Sequence, residues 1–103
     1  MCVAISVGKN NARLFLMEPV VKALEHPEFV GFMEAGSNIG IYAEDNVGEY
    51  KVTYKATDGS AATPSVSVSY MVNRAGIKQG VYDCHVEAGG LVVFNISGPF
   101  SEF

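Results

Sequence analysis

Apolar runs of strand length, separated by short turns rich in glycine and asparagine, constrain this fold more than any other feature. The run 2–7 precedes the turn sequence GKNN at 8–11, and the run 91–96 follows the turn sequence AGG at 88–90. Glycine and asparagine tolerate the positive φ values that tight hairpin turns require. Antiparallel β-hairpins are therefore predicted to form most of the chain. By the same criteria, further strands are predicted at 12–17, 29–34, 39–43, 49–57 and 80–87.

The first of two predicted helices begins at Glu18-Pro19. Proline at the first helical position loses no hydrogen bond, and its φ is already helical. Apolar residues at positions 20, 21 and 24 share one face of this helix. Pro27 disfavours helical geometry in the residue before it, so the helix is predicted to end there after about two turns.

The segment 63–76 fits two patterns. Residues 65–70 alternate between serine and larger side chains, as a strand does. However, Thr63-Pro64 suits a helix start, apolar residues follow at helical spacing, and Gly76 suits a helix C-cap. We predict a helix over 63–76 with its serines facing solvent, and a strand over 65–70 is the alternative.

The order of these elements contains a β-α-β-β unit twice, at 12–43 and 50–96. Glu-Ala-Gly at 34–36 recurs at 87–89, which fits either a duplicated unit or two ordinary hairpins. The sequence predicts one α+β domain over 1–97, made of antiparallel β-hairpins and two short helices, with a C-terminal tail at 98–103. The predicted core comprises Ile5, Leu14, Leu16, Val21, Leu24, Phe32, Ile41, Val52, Met71, Val72, Val93 and Phe94.

The composition argues against several classes of function. Seven basic and eleven acidic residues give a formal charge of −4, which disfavours nucleic-acid binding. No apolar run approaches the roughly 20 residues of a membrane helix, so a cytoplasmic location is predicted. Cys2 and Cys84 match neither a disulfide framework nor a zinc signature, and Cys84 is interpreted as a small core residue. No nucleophile-elbow, Walker or dinucleotide-binding motif is present, so we predict a protein without catalysis or cofactor.

One candidate metal site lies in the penultimate predicted strand. Asp83, His85 and Glu87 alternate along it, so their side chains share one face and could present three ligands to one ion. A solvated strand face has the same pattern. The acidic segment 44–49 lacks the ligand spacing of a calcium loop, and we interpret it as a solvated loop.

Two runs, 29–33 and 91–96, are apolar on both faces of the strand they would form. Such a strand needs cover on both sides, from helices, from a second sheet or from another subunit. The leading hypothesis is therefore a small binding or assembly module that has a homo-oligomeric or other protein partner.

The first unit is similar to the AbrB-like transition-state regulators. The residues that carry this resemblance are ARLFLMEPVVKAL at 12–24, FVGFM at 29–33 and IGI at 39–41. In that family a strand of the type G-R-[IV]-x-[IL] leads into a short helix ending in A-L, and a β-hairpin follows. The second unit matches poorly. The resemblance implies a swapped-hairpin DNA-binding regulator, in which Lys9, Arg13 and Lys22 would contact phosphates, and this is the alternative hypothesis.

Overall fold

The computed structural model describes residues 1–45 and 50–98, which form a β-sheet with two short helices. The strands are β1 (Cys2–Val7), β2 (Ala12–Leu16), β3 (Phe29–Ala35), β4 (Asn38–Glu44), β5 (Tyr50–Lys51), β6 (Thr53–Lys55), β7 (Ala61–Ser67), β8 (Gly80–Glu87) and β9 (Leu91–Asn95). The helices are α1 (Glu18–Ala23) and α2 (Ser69–Ala75). Predictions about residues 46–49 and 99–103, which include part of the acidic loop and most of the tail, lie outside the described residues.

The nine strands form a sheet that nearly closes into a barrel. Their order is β5-β3-β4-β9-β8-β1-β2-β7-β6, and each pairing between neighbours is antiparallel. The first and last strands in this order, β5 and β6, are separated only by Val52, so the two ends of the sheet meet. The α+β class with antiparallel hairpins and two short helices is confirmed at this level.

Val52 is the point at which one extended segment changes partners. β5 pairs with β3, whereas β6 pairs with β7. At the change, the N–H of Val52 donates to the carbonyl oxygen of Glu28 at 2.9 Å. The side chain of Val52 is buried, and the alternating Tyr50 and Tyr54 pack half-buried against the core. The single strand predicted over 49–57 is therefore divided at Val52 into β5 and β6, and it ends at Lys55.

The core contains the inward-facing side chains of the sheet and one face of each helix. Val20 and Val21 of α1 and Met71 and Val72 of α2 belong to the same apolar cluster as the strands. The predicted core residues are buried, with the exception of Phe32, which is partly buried. The ring of Phe32 packs edge-on against that of Tyr50, with their centroids 4.8 Å apart.

The predicted helix over 63–76 is wrong in its first half. Residues 61–67 form β7, and α2 begins only at Ser69. Local start signals at Thr63-Pro64 are overridden because β7 pairs with both β2 and β6. Ser65 is consequently buried, at 6% exposure, instead of facing solvent. Pro64 precedes the segment paired with β2, where a missing N–H is tolerated.

The two helices end in the same hydrogen-bonded motif with different residues. In α2, Gly76 adopts φ +67° as the predicted C-cap, and Ile77 N–H donates to Val72 O at 3.2 Å. In α1, Glu25 and His26 take φ values of +60° and +51°, and their N–H groups donate to carbonyl oxygens within the helix. α1 therefore ends at Ala23, before the position that Pro27 predicts.

The pairing pattern is symmetric about the two halves of the chain. The order β2-α1-β3-β4 recurs as β7-α2-β8-β9, and corresponding strands pair with each other, β2 with β7 and β4 with β9. β1 lies between β8 and β2 and pairs with both. The segment of β5 and β6 has the corresponding position in the other half, because β5 pairs with β3 and β6 pairs with β7. The second unit therefore begins at β7 and not at residue 50, where the sequence analysis placed it, because residues 61–67 form a strand. A duplication as the origin of this arrangement stays a prediction.

Candidate functional site

The outward faces of β3, β4 and β9 form an apolar surface on one side of the sheet. Met33 pairs with Gly40, which pairs in turn with Val93, so these residues form one cross-strand row. Tyr42 and Leu91 lie beside this row on the same face. We call Met33, Tyr42, Leu91 and Val93 the outer apolar face. It brings together the two runs that the sequence marked as apolar on both sides.

Two glycines flatten the outer apolar face. A Cβ atom on Gly31 would overlap the ring of Tyr42, so the tyrosine lies directly over the backbone of β3. A Cβ atom on Gly40 would lie 2.9 Å from a methyl carbon of Leu91. Both larger side chains therefore lie down along the sheet, where they cover its backbone and leave a smooth surface.

The rim of this face is polar, and Met33 at one end of its cross-strand row is accessible. Asn95 Nδ2 donates to Asn38 Oδ1 at 3.0 Å along one side. Met33 is 56% exposed, so more than half of its surface is accessible to a partner. Val93 is buried on this outer side by its neighbours, although the sequence predicted it simply as a core residue.

The candidate metal residues lie at the edge of the same face, on β8. His85 Nε2 and Glu87 Oε2 are 2.9 Å apart and both side chains are exposed. Asp83 is exposed two residues earlier on the strand. Among residues 1–45 and 50–98, no three acidic, histidine or cysteine side chains converge to hold an ion. The metal site therefore stays a prediction, and this geometry gives it no support.

A second feature is a polar groove on the outward face of β2, β7 and β6. It has a volume of about 430 Å³ and contains two cationic side chains. We call it the basic groove. Its lining residues are Arg13, Phe15, Thr53, Lys55, Ala56, Thr57, Ala62, Thr63 and Ser65.

Arg13 is fixed within the basic groove by hydroxyl groups. Its Nε donates to Ser65 Oγ at 3.0 Å, and a terminal nitrogen lies 3.5 Å from Thr53 Oγ1. Ser65 and Thr53 are directly paired across β7 and β6. The guanidinium is thus held by two neighbouring strands.

The three predicted DNA contacts do not converge. Lys9 lies in the turn before β2, and Lys22 lies on α1 after β2, where it pairs with Glu18 at 3.2 Å. Arg13 faces outward from β2 between them. The sequence analysis did not bring Lys55 together with Arg13, because their adjacency depends on β7 lying between β2 and β6.

The two cysteines differ in environment. Cys84 is buried and its Sγ lies 3.7 Å from the carbonyl oxygen of Tyr82, whereas Cys2 is half-buried on β1. Burial raises the pKa of the Cys84 thiol from 9.0 to about 12, with smaller contributions from Cys2 and Asp83. The prediction that Cys84 is a small core residue is confirmed.

Alkylation should therefore distinguish the two thiols. In a Cys2→Ser variant at pH 8, Cys84 is expected to react with iodoacetamide only after unfolding, because a thiol of pKa about 12 is about one part in ten thousand ionised. Since the folded pKa lies above the unfolded one, this thiol's contribution to stability is present below pH 9 and is lost as the pH rises towards 12. Mass spectrometry after timed labelling measures the rate at which Cys84 is alkylated in native and in denatured protein. Equal rates in native and denatured protein would contradict it.

The structure and the comparisons leave the family open. Within the described ranges, neither helix is long and apolar enough to cross a membrane. Comparison of the chain with protein-family models, curated proteins and solved structures finds no match.

Proposed function

We propose that this protein is a small, non-catalytic assembly module of the cytoplasm that self-associates through the outer apolar face. The observation that carries the proposal is the position of Met33, which is 56% exposed at one end of a cross-strand apolar row. A sheet face that is apolar at its centre and polar at its rim has the anatomy of a protein interface. The runs at 29–33 and 91–96, which lie on either side of β4, both contribute to it.

A second copy of the chain fits this face because the surface is flat and carries no charge at its centre. Tyr42 and Leu91 lie along the sheet over Gly31 and Gly40, so two such faces can approach without a clash. A two-fold contact would place the same apolar residues of both copies together. The His85–Glu87 pair at the rim would remain accessible to solvent.

The size of the face predicts weak association. Three strands, at about 4.8 Å spacing and about five residues of 3.4 Å each, give roughly 250 Å² per copy. Stable interfaces bury about 800 Å² per partner. We therefore expect a dissociation constant weaker than about 1 μM.

The AbrB-like regulator remains a second proposal with less support. Its three phosphate contacts would need to face one duplex, but Lys22 is paired with Glu18, and Lys9 lies at the opposite end of β2. Arg13 alone faces outward from the body of the sheet. Three cations on a chain of charge −4 give a duplex few contacts.

Substitution of Met33 tests self-association. Sedimentation velocity from about 1 μM to about 1 mM should show wild-type protein forming dimers. Met33→Glu should weaken the dimer at least about tenfold, because each copy would bury an unpaired carboxylate. Its melting temperature should be nearly unchanged, since exposed positions contribute within about 0.5 kcal/mol.

Tyr70→Ser is the matched control. Tyr70 is also a large exposed side chain, 73% accessible, but it lies on α2. This variant should dimerise as the wild type does. Wild-type protein that stays monomeric throughout the range, or a dimer lost in Tyr70→Ser and retained in Met33→Glu, would overturn the proposal.

A further inference from the structure

We propose that the basic groove binds a small phosphate monoester whose organic part is apolar or aromatic. The groove lies on β2, β7 and β6, on strands that do not form the outer apolar face. This inference is therefore independent of self-association, and either can fail without the other.

Arg13 is positioned to receive an oxyanion. Its side chain is half-buried, and the bonds to Ser65 and Thr53 use Nε and one terminal nitrogen. A guanidinium has five N–H donors in a fixed planar arrangement. Three donors therefore remain for a ligand, enough for the two parallel hydrogen bonds by which arginine holds a phosphate.

A buried hydroxyl group, that of Ser65, accepts a hydrogen bond from this arginine. Ser65 is 6% exposed, and its hydroxyl oxygen accepts the hydrogen bond from the guanidinium of Arg13. The entropic cost of fixing the Arg13 side chain therefore falls on folding, so it does not weaken ligand binding.

The charge of the groove is unbalanced. Among the residues that the structure describes, neither Arg13 nor Lys55 lies within ion-pair distance of a carboxylate, and the lining contains no acidic residue. The nearest acid along the chain, Asp58, accepts hydrogen bonds from the N–H and hydroxyl of Ser60, which lower its pKa. The two cations therefore attract an anion that the chain itself does not supply.

The other lining residues define the remainder of the ligand. Thr57 and Thr63 add hydroxyl donors to the cationic groups. Phe15 supplies an apolar wall, and its side chain is half-buried beside Ser65. A volume of about 430 Å³ accommodates a small molecule. Two cations can neutralise the charge of one phosphate monoester but are few for a nucleic-acid duplex.

Titration with phenyl phosphate tests the site. Chemical shifts of the full chain, followed at constant ionic strength, should change at residues 13, 53 and 65 and saturate. Inorganic phosphate should bind at the same place about tenfold more weakly, because it makes no apolar contact with Phe15. Arg13→Gln should weaken phenyl phosphate at least tenfold, since a bidentate charge-assisted bond is lost. Lys55→Gln should weaken it a few-fold, because the lysine is exposed.

Two controls distinguish the site from general charge effects. Lys22→Gln removes a cation outside the groove and should leave phenyl phosphate binding unchanged. Phe15→Leu keeps an apolar side chain but removes the ring, so it should reduce the preference for phenyl phosphate over inorganic phosphate. Both variants should show the wild-type pattern of backbone shifts away from the substituted residue.

Three results would overturn the proposal. The first is that no chemical shift near Arg13 saturates at millimolar phenyl phosphate. Equal weakening by Lys22→Gln and Arg13→Gln would show charge attraction without a site. Steeply salt-dependent binding of duplex DNA through Arg13, with no response to phenyl phosphate, would assign the groove to nucleic acid and favour the regulator hypothesis.

Discussion

Phe94→Ala is expected to lower the free energy of unfolding by about 3–5 kcal/mol, the largest effect of any substitution considered for this chain. Phe94 is 1% exposed and lies on β9, opposite Ile39 on one side and Cys84 on the other. Its ring centroid is 5.6 Å from that of Tyr82. Truncation therefore leaves a cavity between the two strand pairs that β9 joins.

Urea denaturation followed by circular dichroism measures this loss. Domains of this size have about 5–15 kcal/mol of stability in total, so Phe94→Ala could leave no folded population in buffer. Phe94→Leu, with an expected loss of about 1–2 kcal/mol, keeps the test quantitative. Val86→Ala, at a 45% exposed position on β8, is the control and should cost far less. A loss below about 1 kcal/mol for Phe94→Ala would contradict the packing described above.

Gly31→Ala is expected to cost about 1–3 kcal/mol and to displace the ring of Tyr42. The added methyl group would occupy the volume that this ring fills over β3. Displacement would roughen the outer apolar face, so self-association should weaken together with stability. Denaturation gives the cost in stability, and near-ultraviolet circular dichroism reports the tyrosine, since the chain contains no tryptophan.

A double-mutant cycle isolates this contact. In a Tyr42→Ala background, Gly31→Ala should cost close to nothing, because the group it would strike is gone. Gly98→Ala serves as the control, since a Cβ atom there meets nothing within 4 Å. If Gly31→Ala were equally costly with and without the tyrosine ring, the loss would lie in the backbone and not in this packing.

Turn residues and neighbouring apolar runs were sufficient to predict the β-hairpins from the sequence. The turns at 8–11, 36–37 and 88–90 connect strands that follow each other directly, so their pairing depends on nearby residues alone. Thr63-Pro64 is the instructive exception. Its helix signal is genuine locally, but β2 and β6 supply hydrogen-bonding partners on both sides, and a segment inside a sheet takes the extended conformation that these partners require.

The candidate sites also depend partly on local sequence and partly on pairing between distant strands. Apolar runs of strand length predicted most of the strands, and the family resemblance singled out Arg13 as a phosphate contact. Strand order was needed to bring Arg13 beside Thr53 and Lys55, or to bring Met33 into a row with Val93. That order depends on pairings between residues distant in sequence, for which no turn or spacing gives a signal.

The near-closure of the sheet has a consequence for how the chain reaches this state. β1 is synthesised well before β8, yet the two strands pair, with Ile5 opposite Gly80. During synthesis the β1–β2 hairpin therefore has an open edge until β8 has left the ribosome. Loop closure over such separations makes folding slow, on the order of milliseconds to seconds. Until β8 pairs with it, the unpaired edge of β1 is open to premature association.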